Sequence, residues 1–173
     1  MERPRIKIRL TALDYIVEVL SLLSVLAAII LYIIYWKIAP EVVPIHYNIY
    51  GEVDGYGSKT ALLILPISSV LIYVGLTILN RYPHIFNFPT TVTEQNALSL
   101  YKIATRMVRW LKLLCCFPFV HIIWNEVRII ITHQEPKFGG IVILLLVPCI
   151  IFYLVFFITK MIKIGKKNNT IKE

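Results

Sequence analysis

Charge is scarce in this chain. Asp, Glu, Lys and Arg make up 16% of its 173 residues, where a soluble domain carries about 25%. The 58% of hydrophobic residues come in long blocks, which excludes an ordinary soluble domain and points to a chain that crosses a membrane several times. Cysteine is scarce as well. Cys115, Cys116 and Cys149 are odd in number and lie inside apolar blocks, so a disulfide scaffold is excluded and packing thiols are expected. Catalytic and ligand-binding motifs are also missing. In "GEVDGYGSK" Ser58 precedes Lys59, whereas a phosphate-binding loop needs Gly-Lys followed by Ser or Thr. Acidic ligands do not recur at calcium-loop spacing, and no His-Glu-x-x-His run is present. The chain therefore reads as a non-enzyme without a cofactor. Its net charge of +8 does not signal nucleic acid, because the basic residues flank the apolar blocks.

Four blocks are long enough to span: Tyr15–Trp36, Ala61–Leu79, Trp110–Ile131 and Ile141–Thr159, each near the ~20 residues a bilayer requires. The first exceeds a signal-peptide core and has no small-residue cleavage site after it. The expected fold is all-α, one integral membrane domain over 1–173. Of the 18 Lys and Arg, fourteen fall in the N-terminal tail, the 81–112 segment and the C-terminal end; Lys37, Lys59, Arg128 and Lys137 fall between. The positive-inside rule then places both termini in the cytoplasm and the 37–60 loop outside, a topology that four spans allow. A multi-pass protein of the bacterial inner membrane is expected.

Tyr35, Trp36, Tyr82 and Trp110 stand where aromatic rings mark the membrane boundary. Pro66, Pro118 and Pro148 place a proline in each of the last three spans, where each is expected to bend its helix. Thr91 and Glu94 have capping-box spacing. Beyond them Ala97, Leu100, Tyr101, Ala104, Met107, Val108 and Leu111 line one face and Gln95, Ser99, Lys102, Arg106 and Arg109 the other. The 91–109 segment thus reads as a basic amphipathic cytoplasmic helix lying on anionic lipid, or docking a partner.

Two polar groups sit where polarity is costly. Asp14 and Glu18 lie one turn apart at the inner end of the first span, with Arg109, Lys112 or Lys160 as expected partners; a structural ion pair and proton-coupled transport are the two readings. His121, Asn125 and Arg128 share one face of the third span, with Glu126 displaced from it. With His133 and Glu135 they are expected to meet the first outer loop in a polar pocket.

That loop reads "PIHYNIYGEVDGYGSK" from Pro44. Its alternation suggests a short strand, with Ile45, Tyr47 and Ile49 facing one way and His46, Asn48 and Tyr50 the other. Asp54-Gly55 reads as the turn, and Gly51, Gly55 and Gly57 as positions for left-handed backbone. Ser58 or Thr60 is expected to cap the second span. His46, Glu52 and Asp54, with His121 or His133, are the candidates for a metal, though their spacing specifies none.

The pattern Pro44-x-His46-x-Asn48-x-x-Gly51-x-x-Asp54-Gly55-x-Gly57-Ser58-Lys59 between two spans resembles a bacterial membrane family of unknown function. That domain also forms the N-terminal part of SdpI-type immunity proteins. The stretch Arg81–Lys112 is similar to the region that follows in small members, so the resemblance takes in most of the chain. It implies a multi-span membrane protein related to peptide-toxin immunity and signalling, without established catalytic residues. The leading expectation is a non-enzymatic protein whose outer loop senses an extracytoplasmic peptide or envelope ligand. The alternatives are a small transporter or channel component using Asp14, Glu18, His121 and Arg128, and a metal-dependent membrane enzyme. Transport would need a homo-oligomer, since the second span offers only Ser68, Ser69 and Thr77 as polar groups.

Overall fold

The computed structural model describes residues 3–48, 52–133 and 139–170. The element order is helix α1 (Ala12–Ile38), strands β1 (Val42–Tyr47) and β2 (Val53–Ser58), a 3₁₀ turn (Lys59–Leu63), helix α2 (Ile64–Leu79), a second 3₁₀ turn (Pro83–Ile85), helix α3 (Glu94–Thr132) and helix α4 (Gly139–Thr170). The chain is mostly helical, and four helical segments are long and apolar enough to cross a membrane: Ala12–Ile38, Lys59–Leu79, Glu94–Thr132 and Leu144–Lys166. Their outward faces are apolar, with Leu71, Leu144 and Phe152 more than 60% exposed. A soluble protein does not display an apolar surface of this extent; a lipid-facing one must.

Helix α1 begins at a capping box. The Thr11 backbone N–H donates to Asp14 Oδ2 at 2.9 Å, and the Asp14 N–H donates to Thr11 Oγ1 at 3.4 Å, so the first turn fills two of its otherwise open donors. Further along, Ser21 and Ser24 donate to the carbonyls of Val17 and Leu20, which satisfies both hydroxyls inside the helix.

Helix α3 differs from the expectation in three respects. The segment 91–109 is not a separate surface helix. It is the first half of one 39-residue helix, about 58 Å long at 1.5 Å per residue. Continuity avoids the open donors and acceptors that a break would create. The apolar face is also covered by protein rather than turned to lipid: Ala97, Leu100, Tyr101 and Ala104 are buried with Phe88 and Met161, and Ile6, Ile8 and Ile164 pack on them. Finally, the helix starts two residues later than the Thr91–Glu94 spacing suggests. Thr93 is the cap, its N–H donating to Asn96 Oδ1 at 2.8 Å, while Asn96 Nδ2 donates to the Thr91 carbonyl at 3.0 Å.

Pro66 lies in the first α-helical turn of α2, directly after the 3₁₀ turn Lys59–Leu63. One further expectation is corrected. Tyr35 is fully buried in a core with Ala28, Val43, Leu62, Ile123 and Val127, leaving Trp36 as the exposed ring at that end. Helix α4 closes on α3 through Tyr153, whose hydroxyl donates to the Met107 carbonyl at 3.0 Å. The Cys116 thiol reaches the Ser69 carbonyl at 3.7 Å, so this cysteine packs α3 against α2.

Candidate functional site

Polar groups gather at the two ends of the bundle. The hairpin β1–β2 lies between the end of α1 and the start of α2, and pairs antiparallel in the register Val43 with Gly57, Pro44 with Tyr56, His46 with Gly55 and Tyr47 with Val53. Two irregularities flank His46 and break the strict alternation expected for this strand, since each irregularity shifts which face the following side chain occupies. Asp54-Gly55 is therefore not the turn but part of β2. Neither Gly55 nor Gly57 has a left-handed φ. Glycine at 55 allows a close approach instead: a Cβ there would sit a tight 3.0 Å from the Cβ of His46. The turn is bracketed by Asn48 and Glu52: Asn48 N–H donates to the Glu52 carbonyl at 2.9 Å and the Glu52 N–H to Asn48 Oδ1 at 3.0 Å. Ile49, Tyr50, Gly51 and Glu135 lie outside the described residues.

A two-stranded hairpin is marginal by itself, so its anchors matter. Val43 is buried in the core beneath it. Lys59 pairs with Glu41 at 2.9 Å and lies 4.8 Å from the Trp36 ring centre, joining the ends of α1, β1 and β2. Ser58 caps the 3₁₀ turn through the Thr60 N–H at 3.3 Å. The deepest anchor is the Tyr47 hydroxyl, which donates to Glu126 Oε1 at 2.6 Å. Glu126 is 5% exposed, and a buried carboxylate needs such a donor. Sequence reading placed Tyr47 with the apolar side chains and Glu126 off the polar stripe. The two are 79 positions apart, and no spacing signal links them.

The remaining candidates divide. His46 and Asp54 pair through Nδ1 and Oδ1, both exposed. With Val42 and Tyr56, exposed 64% and 66%, they form the open face of the hairpin. His121 Nε2 and Asn125 Nδ2 are 3.0 Å apart along α3, whereas Arg128 is exposed and makes no ion pair among the described residues. His133 ends α3 in a left-handed conformation, φ 53°, its N–H donating to the Ile129 carbonyl. Of the groups expected to meet the first outer loop, Glu126 does so, through Tyr47, while His121 pairs with Asn125 along α3. Among the described residues no three His, Cys, Asp or Glu side chains converge in a way that could hold a metal.

The opposite end holds an ion-pair network. Arg106 donates to both Asp14 oxygens, at 3.1 and 3.2 Å, and Arg109 lies 3.7 Å from Asp14. Lys112, fully buried, donates to Glu18 Oε2 at 2.5 Å and to Thr77 Oγ1 at 2.9 Å, and lies 4.6 Å from the Tyr73 ring centre. Arg109 Nε is 3.3 Å from Glu18 but misaligned, a charge contact rather than a hydrogen bond. Arg109 and Lys112 are thus partners as expected, while Lys160 rests on Phe156 instead. Arg106, expected on the polar face of the 91–109 helix, is the principal partner of Asp14. Thr11-x-x-Asp14 is a capping-box spacing, and it marks where α1 starts and so which level its acids occupy.

Comparison with known proteins adds a partial match. Residues 22–70 match the model of a domain of unknown function, DUF1648. That span covers most of α1, the whole hairpin and the start of α2, and it stops before the 81–112 stretch that the wider resemblance took in. An uncharacterized protein of Archaeoglobus fulgidus is 40% identical over 58 residues, which are 29% of this chain and 32% of that protein. The chain therefore spans about a third of the length of the curated relative it matches. No solved structure matches.

Proposed function

We propose that the chain is a non-enzymatic, multi-pass protein of the bacterial inner membrane, with both termini cytoplasmic and the hairpin outside. In this reading the open face of the hairpin receives an extracytoplasmic peptide or other envelope ligand, as the SdpI-type likeness of its motif suggests. One observation carries it. The Tyr47–Glu126 bond roots the hairpin in α3 while Val42, His46, Asp54 and Tyr56 stay exposed. A ligand that shifts the hairpin therefore acts directly on a helix running the full depth of the bundle. The free edges of a two-stranded sheet also suit an extended peptide, which can add as a further strand.

The transport reading is weaker. Lys112 and His121 are nine positions apart on α3, about 13 Å along the helix, and between them lie Cys116, packed against Ser69, and the helix-interior Pro118. Ser69, whose carbonyl meets Cys116 there, is itself fully buried in the packing of α2 against α3.

A photo-reactive phenylalanine at Tyr56 should crosslink one discrete extracytoplasmic partner, and the adduct should disappear when His46→Ala is added. A probe at Phe152, which is 75% exposed on α4, should give only lipid adducts. The same adducts from both positions would contradict the reading.

A further inference from the structure

The crevice between α3 and α4 carries a second pattern, independent of the hairpin. Near its basic end a cavity of about 400 Å³ is lined by Ser99, Lys102, Ile103 and Arg106 of α3 and by Phe157, Lys160 and Ile164 of α4. The α3 positions step by three and four, and the α4 positions likewise, so each set is one helical stripe. Three cations and a hydroxyl face a single recess. Arg106 is already committed to Asp14 on its far side, and Lys102 and Lys160 are exposed and make no ion pair among the described residues. The recess is thus left with unneutralised positive charge beside the apolar Ile103, Phe157 and Ile164.

Continuing along the same faces leads to a different lining. A groove of about 520 Å³ opens between Leu20 and Leu23 of α1, Leu113, Phe117 and Val120 of α3, and Leu146 of α4. Leu113 follows Arg106 by two turns, about 10 Å along the helix axis. Phe117 and Val120 continue the three-and-four stepping that began at Ser99, so the cationic recess and the apolar groove share one face of α3. A soluble anion needs only the recess and an apolar molecule only the groove. A ligand with a negatively charged head and a long apolar tail fits both in sequence.

We infer that this crevice binds one anionic glycerophospholipid. Its phosphate lies among Lys102, Arg106 and Lys160 with the Ser99 hydroxyl as a further donor, and one acyl chain runs into the Leu113–Val120 groove. Lys and Arg suit the headgroup because a charge-assisted bond to phosphate is short and strong. Recognition of this kind is expected where basic side chains stand between membrane helices. The site ties α4 to α3 from outside the core, next to the Arg106–Asp14 pair that ties α3 to α1.

Trp110 lies on α3 between the recess and the groove, one turn from Arg106 and from Leu113, and reads the tail directly. The full-length chain carrying Trp36→Phe and Trp124→Phe keeps Trp110 as its sole tryptophan. It would be placed in phosphatidylcholine nanodiscs containing a rising fraction of phosphatidylglycerol with bromine in mid-chain. Half-maximal quenching is expected at a mole fraction about fivefold lower than for equally brominated phosphatidylcholine, the order set by one or more cation–headgroup contacts. Lys102→Gln with Lys160→Gln should bring the two curves together. Lys7→Gln with Arg81→Gln, removing the same charge elsewhere, should leave them apart. Coincident curves in the parent chain overturn the inference, and need no further variant. A preference that survives Lys102→Gln with Lys160→Gln overturns it too. Loss of the preferential quenching on adding millimolar inorganic phosphate would replace the lipid with a soluble phosphate compound.

Discussion

Glu18→Gln should lower the stability of the detergent-solubilised protein by about 3 kcal/mol, the usual cost of removing one partner from a buried ion pair. Lys112 has no exposed surface and, among the described residues, has Glu18 as its only carboxylate within 4 Å, with Arg109 drawing on the same group. Neutralising Glu18 leaves Lys112 with Thr77 and the Tyr73 ring, and Arg109 with Asp14 at 3.7 Å, as the partners among the described residues. The double change Glu18→Leu with Lys112→Met should recover much of the loss, because replacing both members of a buried pair by apolar groups of similar volume is often close to neutral. Titration from mild detergent into sodium dodecyl sulfate, followed by tryptophan emission, reads both variants. An unchanged midpoint for Glu18→Gln would contradict the pairing. Unchanged stability together with a lost solute or proton flux would instead place Glu18 in a transport path.

Tyr47→Phe has the second largest expected effect. It deletes a single oxygen but removes the donor from a carboxylate buried in α3. A hydrogen bond to a charged group contributes about 1.5–3 kcal/mol. Because the bond anchors a hairpin that two strands alone barely hold, the loss should appear locally. Amide exchange across Val42–Tyr47 and Val53–Ser58 is expected to quicken about 30-fold, the equivalent of about 2 kcal/mol. Exchange in the Leu100–Ala104 core should not change. Glu126→Gln keeps an acceptor for the phenol and should cost less. Equal exchange in the parent chain and Tyr47→Phe would show that the hairpin stands without this bond.

What was legible in the sequence follows from how local each signal is. The four spans are visible because length and hydropathy are properties of contiguous residues. The pairing of Asp14 and Glu18 with Arg109 and Lys112 was legible from depth alone: groups entering at one level meet where an unpaired charge is expensive. Arg106 was missed because depth was matched from position 109 onward, whereas its long, partly exposed side chain reaches Asp14 from a turn earlier on α3. A helical wheel read Leu100, Tyr101 and Ala104 as lipid-facing, because an apolar stripe looks alike whether lipid or Phe88 and Met161 cover it. In the hairpin the strand character of Val42–Tyr47 was legible. Its turn was not, because Asp54-Gly55 carries a strong turn signal while the pairing of β1 with β2 settles the register. The Tyr47–Glu126 contact is purely tertiary, and nothing short of the fold brings those two residues together.

These placements share one consequence. Among the described residues, most of the charge inside the bundle is engaged in holding helices to each other, and in the proposed topology the hairpin face is where polar side chains meet the outside. The most direct measurement is therefore of sidedness. In a chain carrying Cys115→Ala, Cys116→Ala and Cys149→Ala, single cysteines at Tyr56→Cys and Lys163→Cys would be treated with a membrane-impermeant maleimide on whole cells. The account predicts labelling of Tyr56→Cys in intact cells and of Lys163→Cys only after permeabilisation. Labelling of both from the same side, or of Lys163→Cys alone in intact cells, would contradict it.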